Sequence, residues 1–170
     1  METNTQIQDN KLKTYWPLIS LVAIAAAAGF ALNWNAQGGL MDWMHYFMGM
    51  ALCSFAMLKI FNISGFADGF QRYDLLAKRS RAYALAYPFI ELGLGLGYLS
   101  FAVPFLVYTA TILVMGIGAV GVIKSLKTGL KINCACMGTV LKVPLSTVTL
   151  TEDIGMGVMA ATMIFMATGL

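Results

Sequence analysis

Residues 15–34 read YWPLISLVAIAAAAGFALNW, and this stretch decides the class of fold to which the chain belongs. It has no charged residue, and it carries aromatic rings at both ends, with Tyr15 and Trp16 at one and Trp34 at the other. A hydrocarbon core about 30 Å thick takes ~20 helical residues, and Trp and Tyr prefer its two interfaces with water. The stretch is therefore predicted to be a transmembrane helix.

The composition of the whole chain agrees with a membrane protein. Hydrophobic residues make up 59% of the 170 residues and charged residues 11%, against about a quarter charged in a soluble domain. The net charge of +3 does not indicate nucleic-acid binding, because the basic residues are confined to particular segments. The alternation typical of outer-membrane barrel strands is absent from the sequence. The prediction is therefore an all-α membrane protein.

Four further segments are apolar enough to be membrane helices. Together with the first they predict a bundle of four to five transmembrane helices, which forms a single integral-membrane domain at residues 15–170. Residues 1–14 are predicted to be a polar, disordered tail. Residues 62–81 mix aromatic and basic side chains, which predicts an interfacial amphipathic helix. The predicted spans are about 15–34, 43–63, 83–99, 104–123 and 154–170.

Several residues predict local geometry within these spans. Pro104 suits the first turn of the fourth span. Gly93 and Gly97 are spaced for a close approach of the third span to another helix. Thr151 or Asp153 would cap the last helix, which is predicted to follow a loop at residues 124–153.

The basic residues predict the orientation of the bundle. With five spans, all eleven lysine and arginine residues fall on one side of the membrane, and the two loops on the other side have none. Loops on the cytoplasmic side carry the excess of Lys and Arg in membrane proteins. We therefore expect the amino terminus and the loop at residues 124–153 to be cytoplasmic, with the carboxy terminus outside.

One acidic residue, Glu91, lies inside a predicted span. An ionised carboxylate in hydrocarbon costs several kcal/mol, so Glu91 must be neutral, paired or in contact with a wet cavity. Lys59 and His45, both in the second predicted span, are the partners that its chemistry accepts. The plainer interpretations are that Lys59 extends towards the nearer interface and that His45 is an interfacial side chain. We single out Glu91 as a candidate proton or polar site.

The loop after the fourth span contains KINCACMG at residues 131–138, so that one residue separates Cys134 from Cys136. Two thiols this close can form a strained small-ring disulfide, or bind one thiophilic metal ion as two soft ligands. The alternative is a chance placement of two small apolar residues. In the cytoplasm a lasting disulfide would be disfavoured. The third cysteine, Cys53, lies in mid-span and is predicted to be inert.

The chain carries Phe55, Lys59, Phe66, Tyr73, Pro88, Glu91 and the stretch NCACMG at residues 133–138. Together these features, which run from about residue 45 to residue 162, resemble the MauE/DoxX group of redox-associated membrane proteins. The resemblance implies a DoxX-like bundle in a bacterial inner membrane, with Cys134 and Cys136 as a redox pair. It also implies assistance to the maturation of exported proteins beside a thioredoxin-like partner, with a client such as a dehydrogenase subunit of methylamine metabolism.

The residues leave three functions open. In the first, Cys134 and Cys136 exchange thiols for disulfides with a partner and need no cofactor. In the second, the same thiolates and Met137 bind or transfer Cu(I), or another heavy metal such as mercury. In the third, the loop only contacts a partner protein. The sequence has no classical hydrolase or transferase motif, so the one enzymatic activity considered is thiol–disulfide exchange.

Overall fold

The computed structural model describes the backbone of residues 2–127 and 145–169, and the side chains of residues 16–127 and 149–169. All regular secondary structure within these ranges is helical, which confirms the predicted all-α fold. The helices, in chain order, are α1 (Glu2–Ala36), α2 (Leu40–Ile60), α3 (Ile63–Phe70), α4 (Arg81–Ser100), α5 (Pro104–Lys127) and α6 (Leu145–Thr168).

The described residues contain three helical segments that are long and apolar enough to cross a membrane: Trp16–Ala36, Pro104–Lys127 and Thr149–Thr168. Helices α2 and α3 add a fourth if they form one span broken by a bend of 98°. Helix α4 has the length of a span, at 20 residues, but it does not belong to this set. The chain is thus a multi-pass membrane protein, with three to four candidate spans where the sequence predicted four to five.

Two helices begin earlier than the sequence predicted. Helix α1 begins at Glu2, so the expected disordered tail is wrong and residues 2–14 continue the first span as helix. Nucleation is the costly step of helix formation, and an existing helix extends at little cost. Helix α6 begins at Leu145, directly after Pro144, rather than at residue 154. The predicted cap at Thr151 or Asp153 is therefore wrong, because both residues lie inside α6.

The segment between α2 and α4 differs from the surface helix that its composition predicted. Only the eight residues of α3 are helical, and Asn62 caps them by accepting a backbone N–H at 3.1 Å. The aromatic side chains face the bundle instead of the lipid headgroups. Phe66 and Phe70 are buried against Tyr87 of α4, with ring centroids 5.9 and 4.5 Å away, and Tyr73 packs on Phe70.

Asp74 organises the turns that follow α3. Its Oδ1 accepts the backbone N–H groups of Leu76 and Ala77, at 2.9 and 2.8 Å, and the residue is fully buried. The backbone here lies directly on α5, because a Cβ added to Gly121 would be 2.9 Å from the carbonyl oxygen of Tyr73. These turns therefore pack against the bundle and bring Tyr73 and Asp74 into its interior.

Helices α2 and α4 approach each other closely at Gly95. A Cβ added to Gly95 would lie 3.0 Å from the backbone nitrogen of Cys53 and 3.1 Å from the carbonyl oxygen of Gly49. Gly93, in contrast, faces open space, and Gly97 meets α5. The predicted groove of Gly93 and Gly97 is therefore not the contact that the fold uses, although the expectation of a close glycine contact on this helix holds.

Candidate functional site

Lys59, near the carboxyl end of α2, is only 3% exposed and is held by carboxylates from two other helices. Its Nζ donates to both oxygens of Glu91 in α4, at 2.6 and 2.7 Å, and to Oε1 of Glu152 in α6, at 3.2 Å. The sequence offered Lys59 and His45 as possible partners of Glu91, and in the structure the partner is Lys59. Lys59 does not extend towards the interface as the plainer interpretation expected.

Asp153 adds a third carboxyl group to this site. It is 4% exposed, and its side chain lies against α5, where a Cβ added to Gly118 would be 2.7 Å from its Oδ2. We name Lys59, Glu91, Glu152 and Asp153 the Lys59 cluster. Since its members come from α2, α4 and α6, the cluster exists only when the bundle is assembled.

Aromatic rings surround the ammonium group of Lys59. Its Nζ lies 5.5 Å from the ring centroid of Tyr87, 5.7 Å from that of Phe55 and 5.9 Å from that of Phe66. A cation over the face of a ring is attracted by the ring quadrupole, and the attraction strengthens where water is excluded. The rings therefore stabilise the charged form of Lys59 while they keep bulk water from the carboxylates.

Tyr73 approaches the cluster from the turns after α3. Burial raises the pKa of Tyr73 well above its ordinary value, and the carboxylates of Asp153 and Glu152 raise it further. The phenol therefore stays protonated at any physiological pH and can only donate or accept a neutral hydrogen bond.

A small cavity lies between the cluster and the rings. About 10 Å³ of it is open to the centre of a water molecule, which is room for about one water. Two carboxyl oxygens, Oε2 of Glu152 and Oδ2 of Asp153, have no hydrogen-bond partner among the described residues. Glu152 also lines a larger apolar pocket of about 210 Å³ between α1, α2 and α6. The residues around the small cavity are Lys59, Phe66, Phe70, Tyr73, Tyr87, Thr149, Glu152 and Asp153.

A second buried polar group lies near the other end of α2. His45 Nδ1 donates to the carbonyl oxygen of Tyr98, at 3.0 Å, and in the neutral ring Nε2 accepts from the hydroxyl of Tyr108. The imidazole also stacks on Phe101, which ends α4 in the left-handed conformation with φ 54°. His45 is therefore a buried link between α2 and the α4–α5 turn, and neither an open interfacial side chain nor a partner of Glu91.

We expect Tyr108→Phe to lower the free energy of unfolding by about 1–2 kcal/mol, because it leaves Nε2 of His45 buried without its partner. The measurement is denaturant unfolding of the purified protein in detergent micelles. Thr109→Val is the matched control, since that exposed hydroxyl bonds only to the carbonyl of Phe105 in its own helix. Equal stabilities of the two variants would show that the hydrogen bond to His45 contributes nothing.

Of the remaining candidate residues, some lie outside the part of the chain that the structure describes and others lie within it. Cys134, Cys136 and Met137 lie outside the described residues. Cys53 is half-buried and packs against Gly95 of α4, and its predicted inertness stays a prediction. Over the described part of the chain, no group of three or more His, Cys, Asp and Glu side chains could hold a metal ion.

Sequence reasoning missed Glu152 and Asp153 as members of a site. Two acids directly before an apolar run are typical of a helix amino terminus, so the sequence predicts a loop and a cap for them. The available signal was Lys59, a cation inside an apolar helix that needs counter-charges. Glu91 supplies one carboxylate, and the acids beside the last apolar run are the next candidates.

Comparison with known proteins identifies the family. A family model described as methylamine utilisation protein MauE matches residues 37–167, a range that contains the Lys59 cluster, His45 and both loop cysteines. No curated protein and no solved structure matches. Since the match covers well over half of the sequence, the chain belongs to the MauE family of membrane proteins.

Proposed function

We propose that this protein assists thiol–disulfide handling during the maturation of partner proteins, through Cys134 and Cys136. The proposal is carried by the position of the pair in the sequence. It lies inside the region matched by the MauE family, after α5, whose Gly118 contacts Asp153, and before α6, which supplies Glu152 and Asp153 to the Lys59 cluster. A client such as a dehydrogenase subunit of methylamine metabolism would fit the family's description. The redox partner would be a protein with a dithiol/disulfide pair, of the thioredoxin-like class.

The ends of the flanking helices support this proposal. Gly118 of α5 touches Asp153, and α5 ends nine residues later, at Lys127. Glu152 lies seven residues after the start of α6 at Leu145. At 1.5 Å per helical residue, Lys127 and Leu145 each lie about 10–15 Å along their helix from the cluster. The two described helix ends that precede and follow the cysteines in the sequence are thus both within this distance of a buried ionic site.

The chemistry requires only the pair and a partner disulfide. The thiolate of one cysteine attacks a sulfur of the partner disulfide, so that a mixed disulfide forms and one partner thiolate leaves. The second cysteine, as a thiolate, then attacks the mixed disulfide. The Cys134–Cys136 disulfide forms, the partner becomes a dithiol, and the two protons lost by the cysteines are taken up by the partner's thiolates. The reverse sequence oxidises a client.

The basic residues support a cytoplasmic location for this chemistry, in an inner membrane of bacterial type. When α4 is also counted as a span, which gives five, ten of the eleven lysine and arginine residues fall on the side of the cysteine loop, and the eleventh, Lys59, is buried in the bundle. Cytosolic redox buffers keep thiols reduced, so the oxidised pair would be a transient intermediate rather than a structural bond.

Thiol trapping in intact cells tests the proposal. We expect a fraction of wild-type protein to have Cys134 and Cys136 oxidised, and Cys136→Ser alone to accumulate a mixed disulfide with a partner. The double variant Cys134→Ser/Cys136→Ser should lose both species and lower the yield of client disulfides. Cys53→Ser is the matched control, since that thiol packs between helices and should leave all three readouts unchanged.

A pair that is never oxidised, with client disulfides intact in the double variant, would contradict the proposal. Titration of the purified protein with Cu(I) then decides between the other two functions. Binding that disappears in the double variant supports soft-metal handling by Cys134, Cys136 and Met137. Absence of such binding leaves a loop that only contacts a partner.

A further inference from the structure

The Lys59 cluster has more negative than positive groups. Glu91, Glu152 and Asp153 face the single ammonium group of Lys59, and each of the four residues is at most 8% exposed. Were every carboxyl group ionised, the cluster would have a net charge of −2. A buried charge without a partner costs several kcal/mol, so the protein must neutralise the excess.

The unpaired oxygens show where the neutralising group would bind. Glu152 and Asp153 are more than nine-tenths buried, both line the small cavity, and each has one oxygen without a partner among the described residues. Lys59 Nζ donates hydrogen bonds to both Glu91 and Glu152, so one ammonium group holds two carboxyl groups close to each other. Two carboxylates held this close do not both ionise readily, and they commonly share a proton.

We propose that the Lys59 cluster is a proton-binding site, in which Glu91, Glu152 and Asp153 together hold at least one exchangeable proton at neutral pH while Lys59 stays charged. The three carboxyl groups share the proton, and the small cavity that Glu152 and Asp153 line has room for one water molecule between them. The site does not depend on the cysteines, so it goes beyond the proposed function.

The side chains around the cluster favour protonation of a carboxyl group, because no other described side chain that lines the small cavity supplies a second positive charge. Tyr87 of α4 and Tyr73 of the turns after α3 are phenols, which stay neutral. Asp74, which is also buried, is a further carboxyl group and supplies no positive charge. Lys59 is the one basic side chain among the described residues that line the small cavity. Protonation of a carboxyl group is thus the neutralisation that the described side chains provide.

Exchange of the proton would begin at Glu152. Glu152 lines both the small cavity and the apolar pocket between α1, α2 and α6, so it lies between that pocket and the cluster. Its Oε2 is itself buried, so exchange with bulk water requires movement of this side chain. Within the site, a proton can pass between Glu152 and Asp153 through water in the small cavity, which both residues line.

Infrared difference spectroscopy of the full chain in lipid nanodiscs tests this proposal. When the pH is raised from neutral to alkaline, we expect the loss of a carbonyl band of protonated carboxyl groups, equivalent to at least one group per chain. The band should shift in D₂O, because an exchangeable proton is replaced by a deuteron. Glu91→Gln, Glu152→Gln and Asp153→Asn should each remove or displace the band.

Asp68→Asn is the matched control, because that carboxylate is exposed and pairs with Arg81 at 2.8 Å. It should leave the band unchanged. A wild-type spectrum without the band at neutral pH would overturn the proposal, even if the variants failed to fold. A band that is unaltered in all three cluster variants would overturn it as well.

Discussion

Replacing Lys59 by methionine is expected to lower the free energy of unfolding by about 3–5 kcal/mol. The substitution keeps the length of the side chain but removes the charge that offsets Glu91 and Glu152, which are 0% and 8% exposed. Breaking a buried ion pair leaves a charge that neither water nor a partner can stabilise. Denaturant unfolding of the purified protein in detergent micelles measures the change.

A double-mutant cycle isolates the interaction from the loss of packing. Lys59→Met/Glu91→Leu should recover a large part of the loss, because well-packed apolar residues can replace a buried pair at little cost. The exposed pair of Arg81 and Asp68, with an N–O distance of 2.8 Å, is the matched control. Its coupling energy should be about 1 kcal/mol or less. Equal coupling energies in the two pairs would contradict the conclusion that Lys59 and Glu91 form a buried, stabilising ion pair.

The expected recovery bears on why the cluster exists. If an apolar pair supports the fold almost as well as Lys59 and Glu91, stability alone does not explain an ionic site with excess carboxyl groups. A buried charged network is weak support for stability but fixes which helices meet, and in what register. Such a network also responds to protons, which links it to the proposed proton site.

The helical class of the fold could be predicted because it depends on local composition. A long uncharged run such as residues 15–34 can satisfy its backbone in lipid only as a helix. Pro104 was expected at a helix start, and α5 begins there. Glu91 was expected to need a partner, and its contact with Lys59 meets that need. In each case the residue type restricts the outcome before any tertiary contact is known.

The rest of the site could not be predicted, because it depends on which helices meet. Nothing local to Glu152 distinguishes a buried ligand of Lys59 from a solvated residue at a helix start. His45 likewise finds its partners on Tyr98 and Tyr108, more than fifty residues away in sequence. Phe66 looks like a headgroup residue until the 98° bend after α2 turns it towards Tyr87. Periodicity and composition do not contain this information.

The second large effect on stability is expected at Gly95 of α4. Gly95→Leu is expected to lower the free energy of unfolding by about 3 kcal/mol, at the upper end of the cost of overpacking. Even a Cβ at this position would lie 3.0 Å from the backbone nitrogen of Cys53 and 3.1 Å from the carbonyl oxygen of Gly49. Backbone atoms cannot rotate away as a flexible side chain can, so α2 and α4 must separate.

Gly93→Leu is the control for this substitution, because it introduces the same side chain into the same helix. A Cβ at Gly93 meets nothing within 4 Å, so leucine there should extend into open space and change the stability by about 0.5 kcal/mol or less. Separation of α2 from α4 would also pull Lys59 away from Glu91, so the carboxyl band of the proton site should shift or change in intensity in the Gly95 variant. Equal stabilities of the two leucine variants would mean that α2 and α4 do not meet at Gly95.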